Sequence, residues 1–152
     1  MRVFRSVVSA VLGGVALCCL AACEPNPPIS DGPISLSVTG QVLSIAICRD
    51  VDIIEISAAV REPGTEWVEF FNGTGELTVT RGDSYDLEAL ASMLTVTVND
   101  DPMVSERTEV DVFIQGRKSS QNLYTSLKIG EDGQDGKWLR GDGTVGVEPC
   151  TS

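Results

Sequence analysis

The sequence contains no histidine, few aromatic residues and few basic residues. The absence of histidine among 152 residues removes the usual general base at neutral pH, the Ser-His-Asp and Cys-His arrangements of hydrolases, and the most common zinc ligand. An enzyme built from this chain would have to use carboxylates, such as the paired Asp or Glu residues that cleave glycosides. None of its acidic residues stands in a distinctive apolar setting, so we expect no enzymatic activity.

Basic side chains are scarce relative to acidic ones. The chain has 11 Lys and Arg residues against 22 Asp and Glu residues, a net charge of −11. Favourable contacts with nucleic acid phosphates need Lys or Arg to displace counterions, so the composition argues against nucleic-acid binding. The charge favours solubility, cations and partners with basic surfaces.

A hydrophobic run long enough for a confident membrane span is also missing. The uncharged segment 6–22 follows the short basic start of residues 1–5, and it falls short of the roughly 20 apolar residues that a spanning helix needs. A basic start followed by a short apolar run is typical of an export signal. The run ends in Leu20-Ala21-Ala22-Cys23, which resembles the lipobox of bacterial lipoproteins.

This resemblance implies that residues 1–22 are a cleaved signal peptide and that the Cys23 sulfur carries a diacylglycerol, with palmitate among the attached chains. Each buried methylene contributes about 0.8 kcal/mol of membrane affinity. The implied location is the extracytoplasmic face of the cell membrane, or the outer membrane of a diderm. Cys18 and Cys19 would leave with the signal peptide. A plain signal peptide and a retained anchor are the alternatives.

Residues 23–33 form a proline-rich stalk, and residues 34–152 form one domain. The segment from Glu24 to Pro33 holds four prolines, and an extended form at about 3.1 Å per residue gives a stalk of roughly 30 Å. The remaining cysteines, Cys48 and Cys150, lie far apart in sequence. Because an isolated pair of cysteines outside the cytoplasm is usually bonded, we expect a Cys48–Cys150 disulfide.

From Ile34 onward, apolar and polar residues alternate and many side chains are β-branched, which predicts strands with one buried face. The strongest hairpin signal is Asn72-Gly73, between the strand-like segments 66–71 and 76–80, because this dipeptide tolerates the positive φ of a tight turn. The other predicted strands are 34–39, 42–48, 53–60 after a break at 50–52, 94–98, 110–115, 123–129, 137–140 and 144–147. The pattern predicts a mainly β protein, a single antiparallel β-sandwich with an immunoglobulin-like layout.

The spacing of apolar residues predicts one short helix near residues 84–93. Leu87, Leu90 and Leu94 have helical spacing, and either Asp83 or Ser84 would be the N-cap. A strand remains the alternative, since Tyr85 and Leu87 also alternate.

The best candidate cation site comprises Glu131, Asp132 and Asp135 in a glycine-rich segment. Calcium takes six to eight oxygen ligands, but Asp and Gly also form ordinary turns, so a solvated hairpin loop is the preferred interpretation. We expect no other cofactor. We expect Trp67 in the core and Trp138 to be the more exposed tryptophan, with core or edge packing favoured over a binding role.

These features predict a membrane-anchored lipoprotein whose monomeric domain is a non-catalytic binding or interaction module for an envelope protein or polymer. The alternatives are a structural envelope component, and a carboxylate-based enzyme or calcium-binding module. By its layout, the globular part resembles small secreted proteins of high-GC Gram-positive bacteria, a resemblance that implies no particular activity.

Overall fold

The predicted β-sandwich is confirmed in a computed structural model, which describes residues 33–102, 104–105, 107–130 and 136–151. Two antiparallel five-stranded sheets pack face to face, with strand order β10-β9-β1-β2-β5 in the first and β6-β4-β3-β7-β8 in the second. The strands are β1 Ile34–Thr39, β2 Val42–Ile47, β3 Val51–Arg61, β4 Val68–Val79, β5 Ser84–Asp86, β6 Thr95–Asn99, β7 Glu109–Gly116, β8 Leu123–Lys128, β9 Trp138–Arg140 and β10 Val145–Gly146. The helix α1, Leu87–Met93, joins β5 to β6, and a short 3-10 turn, Ser119–Gln121, joins β7 to β8.

The neighbour relations of six strands follow the immunoglobulin order. In that order strands A, B, E and D share one sheet and C, F and G form the other; here β1-β2-β5 match A-B-E and β3-β7-β8 match C-F-G. Three features depart from it, because the fourth strand, β4, pairs with β3, β6 adds an edge beside β4, and β9 and β10 extend the first sheet beyond β1. The predicted layout is therefore present with additional edge strands.

Alternating apolar residues build the core between the sheets. Ile34, Leu36 and Val38 of β1 point inward, and the same alternation in β2, β3, β7 and β8 fills the rest of the interior. Ser35 and Ser37 of β1 are buried as well. The C-terminal segment contacts Ser35, whose hydroxyl donates to the Pro149 carbonyl at 2.7 Å. Phe70 and Phe71 are both buried, next to a register shift between β3 and β4.

The hairpin predicted at Asn72-Gly73 is wrong, because these residues lie inside the continuous strand β4. A Cβ on Gly73 would lie 3.1 Å from the Leu94 side chain, and a Cβ on Gly75 would also lie 3.1 Å from it. The glycines leave room for Leu94, which is buried. Glycine in this segment therefore serves close packing rather than a turn.

The predicted short helix is confirmed over residues 87–93 of the predicted 84–93, and its predicted N-cap is wrong. Residues Ser84–Asp86 form β5, which pairs with β2. The helix begins at Leu87, and Asp86 is its N-cap, since the Asp86 carboxylate accepts a hydrogen bond from the Ala89 amide at 2.7 Å. The sequence pattern assigned Ser84–Asp86 to the first helical turn, but their backbone groups form hydrogen bonds with β2 instead.

The predicted break at residues 50–52 lies earlier in the chain, because residues 48–50 separate β2 from β3, which already begins at Val51. Val51 is buried while Asp52 is only partly buried, so the one-sided alternation of the strand extends through the acidic residues. Asp52 accepts a hydrogen bond from the Thr78 hydroxyl on β4 at 2.9 Å.

The predicted disulfide between Cys48 and Cys150 is confirmed, with a Cα–Cα distance of 5.4 Å. Cys48 directly follows β2, and its amide donates to the Pro33 carbonyl at 2.6 Å. Pro33 is itself buried. The bond therefore fixes the C-terminal segment beside the point at which the described chain begins.

The sandwich has two distinct ends. The proximal end holds Pro33, the disulfide and the connections β2–β3, β4–β5 and β7–β8, which are joined by hydrogen bonds such as Arg117 N–H to the Asp52 carbonyl at 2.7 Å. The distal end holds the β1–β2 turn, the β3–β4 loop and the β6–β7 segment, by which we mean residues 100–102, 104–105 and 107–108. The six residues of β1 alone separate the two ends by about 20 Å. Within the described residues, no helix is both long enough and apolar enough to cross a membrane.

Candidate binding site at the distal end

Three connections meet at the distal end. The strands that carry the β3–β4 and β6–β7 connections are neighbours in the second sheet, and the β1–β2 turn comes from the facing first sheet. The Asp100 amide donates to the Phe70 carbonyl at 2.8 Å, which ties the β6–β7 segment to the start of β4. The Ile129 amide donates to the Thr108 carbonyl at 2.8 Å, which ties the end of the same segment to the residue after β8. Backbone bonds therefore hold both ends of the β6–β7 segment against the sandwich.

The first hollow has a volume of about 290 Å³ and lies between the β1–β2 turn and the β6–β7 segment. Its described lining comprises Gln41, Glu62, Asp101, Pro102, Val104 and Ser105. The Ser105 amide donates to the Thr108 hydroxyl at 2.8 Å, and the Thr108 amide donates back to the Ser105 carbonyl at 3.0 Å. This reciprocal turn fixes the wall of the hollow.

The second hollow, of about 240 Å³, continues from the first across Gln41 and Asp101 toward helix α1. Val42, Leu43 and the residues that begin α1 complete its described lining, which ends at Glu88. The Val42 side chain is 54% exposed beside it, whereas Leu43 is buried beneath it. An exposed apolar side chain thus stands next to carboxylates at the rim.

The third hollow, of about 420 Å³, shares Glu62 with the first and lies along the β3–β4 loop. Its described lining comprises Val60, Arg61, Glu62, Thr65, Glu66, Val68 and Thr108. Thr65 closes the loop, because its hydroxyl accepts from the Glu62 amide at 3.1 Å and donates to the Glu62 carbonyl at 2.9 Å. Gly64, with φ of 82°, supplies the left-handed residue of this loop.

An ion pair and an aromatic ring fix Arg61 beside the third hollow. The Arg61 guanidinium lies 2.6 Å from the Glu109 carboxylate and 4.5 Å from the centroid of the Trp67 ring. Trp67 is 37% exposed, so its predicted place in the core is wrong. It precedes β4 on the outer side of the sheet and packs on Arg61 instead, a cation–π contact. Trp138 is half-buried in β9, so the prediction that it is the more exposed tryptophan is also wrong.

The described lining of the hollows is strongly acidic. It contains five carboxylates and one guanidinium, from Glu62, Glu66, Asp86, Glu88, Asp101 and Arg61. Asp86 caps α1 and Arg61 is paired with Glu109. No hydrogen bond or ion pair within the described part of the chain engages the other four carboxylates. Among the described lining residues, negative charge therefore exceeds positive charge.

The outer face of the second sheet continues from Arg61 toward Asp111 and Tyr124. The Tyr124 hydroxyl donates to Asp111 Oδ2 at 3.0 Å, while the buried Asp111 Oδ1 has no hydrogen-bond partner among the described residues. Burial raises the pKa of Tyr124 above its ordinary value, and the nearby Asp111 charge adds to the rise. This cluster adds a further acidic group beyond the third hollow.

The residues singled out from the sequence lie elsewhere. Cys23 and the candidate cation ligands Glu131, Asp132 and Asp135 lie outside the described residues. Cys48 and Cys150 form the disulfide at the proximal end, away from the hollows. Within the described ranges, no group of three or more Cys, Asp or Glu residues is arranged to hold a metal ion.

The distal acids were not singled out from the sequence. The available signal was the position of Glu62 and Asp101 beside the loop prolines Pro63 and Pro102, since binding residues concentrate on loops held by a rigid scaffold. Comparisons with protein-family models, with curated proteins and with solved structures each found no match. The interpretation of the hollows therefore depends on their geometry and charge.

Proposed function

We propose that this protein is a lipid-anchored lipoprotein of the extracytoplasmic face of the cell membrane, and that its β-sandwich is a non-catalytic binding module. Pro33 lies at one end of the sandwich and the three hollows lie at the other. This separation is the observation that supports the proposal most. A chain tethered through Cys23 would enter the domain at the proximal end. The hollows would then face away from the bilayer, accessible to a partner in the envelope.

The disulfide supports the extracytoplasmic part of this proposal. Disulfides form and persist in oxidising compartments and are rare in the cytosol. Cys48 and Cys150 are joined across a sequence separation of 102 residues. A bond that closes most of the folded chain is expected of a structural disulfide in an exported domain.

The side chains of the distal end support binding rather than catalysis. The hollows present carboxylates, small polar groups and aliphatic groups, and the whole sequence lacks histidine. The first and second hollows, of about 290 and 240 Å³, lie below the range for small-molecule pockets, about 300–1,000 Å³, and the third, of about 420 Å³, lies in its lower part. Open hollows of this size suit side chains of a partner that rests on the surface.

Lipidation is tested by labelling cells with a palmitate analogue and comparing the natural chain with Cys23→Ser. We expect the label and the membrane fraction to require Cys23, and the natural mature chain to begin at that residue by intact-mass analysis. A cytosolic protein that retains Met1 and carries no acyl chain would overturn the proposed anchoring.

Binding at the distal end is tested with a photo-crosslinker attached to a single introduced thiol. Gln41→Cys carries the crosslinker at the hollows, and Ser120→Cys carries it at the proximal end as the matched control. We expect a discrete adduct from Gln41→Cys in intact cells. Equal, diffuse adducts from both positions would instead indicate a structural envelope component.

A further inference from the structure

We propose that the distal end docks a basic polypeptide segment that inserts apolar side chains between its lysines or arginines. This inference rests on the proposed function and specifies the chemistry of the partner. The three hollows form one surface, because the first shares Gln41 and Asp101 with the second and Glu62 with the third. We refer to the described lining residues of the three hollows as the distal surface.

Charge complementarity identifies the sign of the partner. Four carboxylates of the distal surface have no partner within the described chain, and its guanidinium, Arg61, is occupied by Glu109. Opposite charges on two surfaces attract and orient the partners during encounter, while like charges exclude wrong partners. An anionic wall polymer is therefore repelled from the distal surface, and a cationic segment is drawn to it.

Apolar contacts identify the partner as amphipathic. Val42 and Val68 are 54% and 61% exposed at the rims of the second and third hollows. Pro102 and Val104 add aliphatic walls to the first hollow. Both exposed valines would lose contact with water beneath an apolar side chain of the partner, and apolar burial of this kind supplies most of the affinity in polypeptide recognition.

A polypeptide fits this distribution of acidic and apolar groups better than a compact ligand does. The acidic and apolar groups are spread over three shallow, connected hollows, so a single small cation would contact only one of them. A segment with alternating basic and apolar residues would meet both kinds of group along its length. The backbone bonds from Asp100 to Phe70 and from Ile129 to Thr108 anchor both ends of the β6–β7 segment, which reduces the ordering that binding must supply there.

The test uses the full lipidated chain, purified in a neutral detergent, and a fluorescent peptide of alternating lysine and leucine about 12 residues long. Fluorescence anisotropy gives the dissociation constant at about 50 mM and about 200 mM salt. We expect binding that weakens as the salt rises. A peptide with glutamate at the lysine positions is the charge control, and one with serine at the leucine positions is the apolar control; both should bind at least about 10-fold more weakly.

The charge variant is Glu62→Gln with Asp101→Asn, and its matched control is Glu76→Gln with Glu148→Gln. Both pairs are exposed and remove two negative charges, but Glu76 and Glu148 line none of the three hollows. Loss of two exposed charge pairs with the peptide is expected to weaken its binding by about 2-fold to about 30-fold. The control pair should change it by less than about 2-fold, since charges beyond about 10 Å are largely screened at 0.1 M salt.

The apolar variant is Val68→Ser, with Val147→Ser as its matched control, because Val147 is 81% exposed and lines none of the hollows. We expect weaker binding of the lysine–leucine peptide only for Val68→Ser. Equal effects of the distal and control variants, or no binding up to about 1 mM peptide, would overturn the proposal. Those results would leave the palmitate labelling untouched, so failure of this inference is distinguishable from failure of the proposed anchoring.

Discussion

The Cys48–Cys150 disulfide allows a quantitative prediction for the stability of the domain. The bond closes a loop with a sequence separation of 102 residues. In the chain-entropy model, a loop of about 100 residues removes on the order of 4.7 kcal/mol of conformational freedom from the unfolded chain at 25 °C. Replacing both cysteines by alanine should therefore lower the free energy of unfolding by up to about 4.7 kcal/mol.

The corresponding change in melting temperature follows from the size of the domain. For roughly 120 folded residues the unfolding entropy is about 0.25 kcal/mol/K, so the full loss lowers Tm by about 19 °C. Hydrogen bonds should make the decrease in Tm smaller than this, because they still hold the C-terminal segment after the disulfide is removed. The Pro149 carbonyl accepts from Ser35, and the Thr151 carbonyl accepts from Arg81. We expect a decrease of at least about 8 °C.

The assay is thermal unfolding followed by circular dichroism, with the natural chain measured before and after complete reduction and alkylation. The reduced natural chain and the Cys48→Ala, Cys150→Ala variant should melt together, because each lacks the same loop constraint. A decrease of less than about 3 °C in both samples would refute the loop-entropy reasoning. Melting of the reduced chain far below the double variant would instead show that alkylation itself disturbs the fold.

Three further predictions concern local packing and hydrogen bonds. Gly73→Val should destabilise the fold by about 1–3 kcal/mol, measured by chemical denaturation, because its Cβ would lie 3.1 Å from the Leu94 side chain. Asp86→Ala should cost about 0.5–2 kcal/mol through loss of the N-cap of α1. Thr144→Val should raise the pKa of Asp142 toward its ordinary value, as followed by NMR, because the Thr144 hydroxyl bond at 2.7 Å is the main cause that lowers that pKa.

Each of these variants has a conservative control. Gly130→Ala should be nearly neutral, since a Cβ added there would meet nothing within 4 Å and the φ of Gly130 is not in the left-handed region. Asp86→Asn keeps the capping acceptor, and Thr144→Ser keeps the hydroxyl. If a control variant changed the free energy of unfolding, or the pKa of Asp142, as much as its test variant did, the contact named for that variant would not be the cause of the change.

The strand pattern of the sandwich could be read from alternation because one face of each strand meets the core. Ile34 to Thr39 became β1 with the predicted bounds, and residues 110–115 became β7 with one more residue at each end. The hairpin predicted at Asn72-Gly73 was wrong for a physical reason, because the same glycines that permit a turn also make room for a bulky neighbour. That neighbour, Leu94, is about 20 residues away in sequence, so local pattern does not reveal it.

The distal surface was not predictable because its members come from separate parts of the chain. Gln41, Glu62, Asp101 and Glu88 lie on four different connections, and each is an ordinary polar residue in its own sequence context. Their proximity depends on which strands become neighbours across the two sheets. Trp67 illustrates the same limit, because its aromatic neighbours in sequence are buried while its own ring packs on Arg61.

Fold class, acidic charge and cysteine pairing could all be obtained from the residues alone, because periodicity, composition and the presence of two remaining cysteines are local or countable properties. The folded arrangement was needed to place Pro33 and the disulfide at one end and the carboxylate-lined hollows at the other. Strand direction and sheet order set that polarity, and both arise from contacts between residues far apart in the chain.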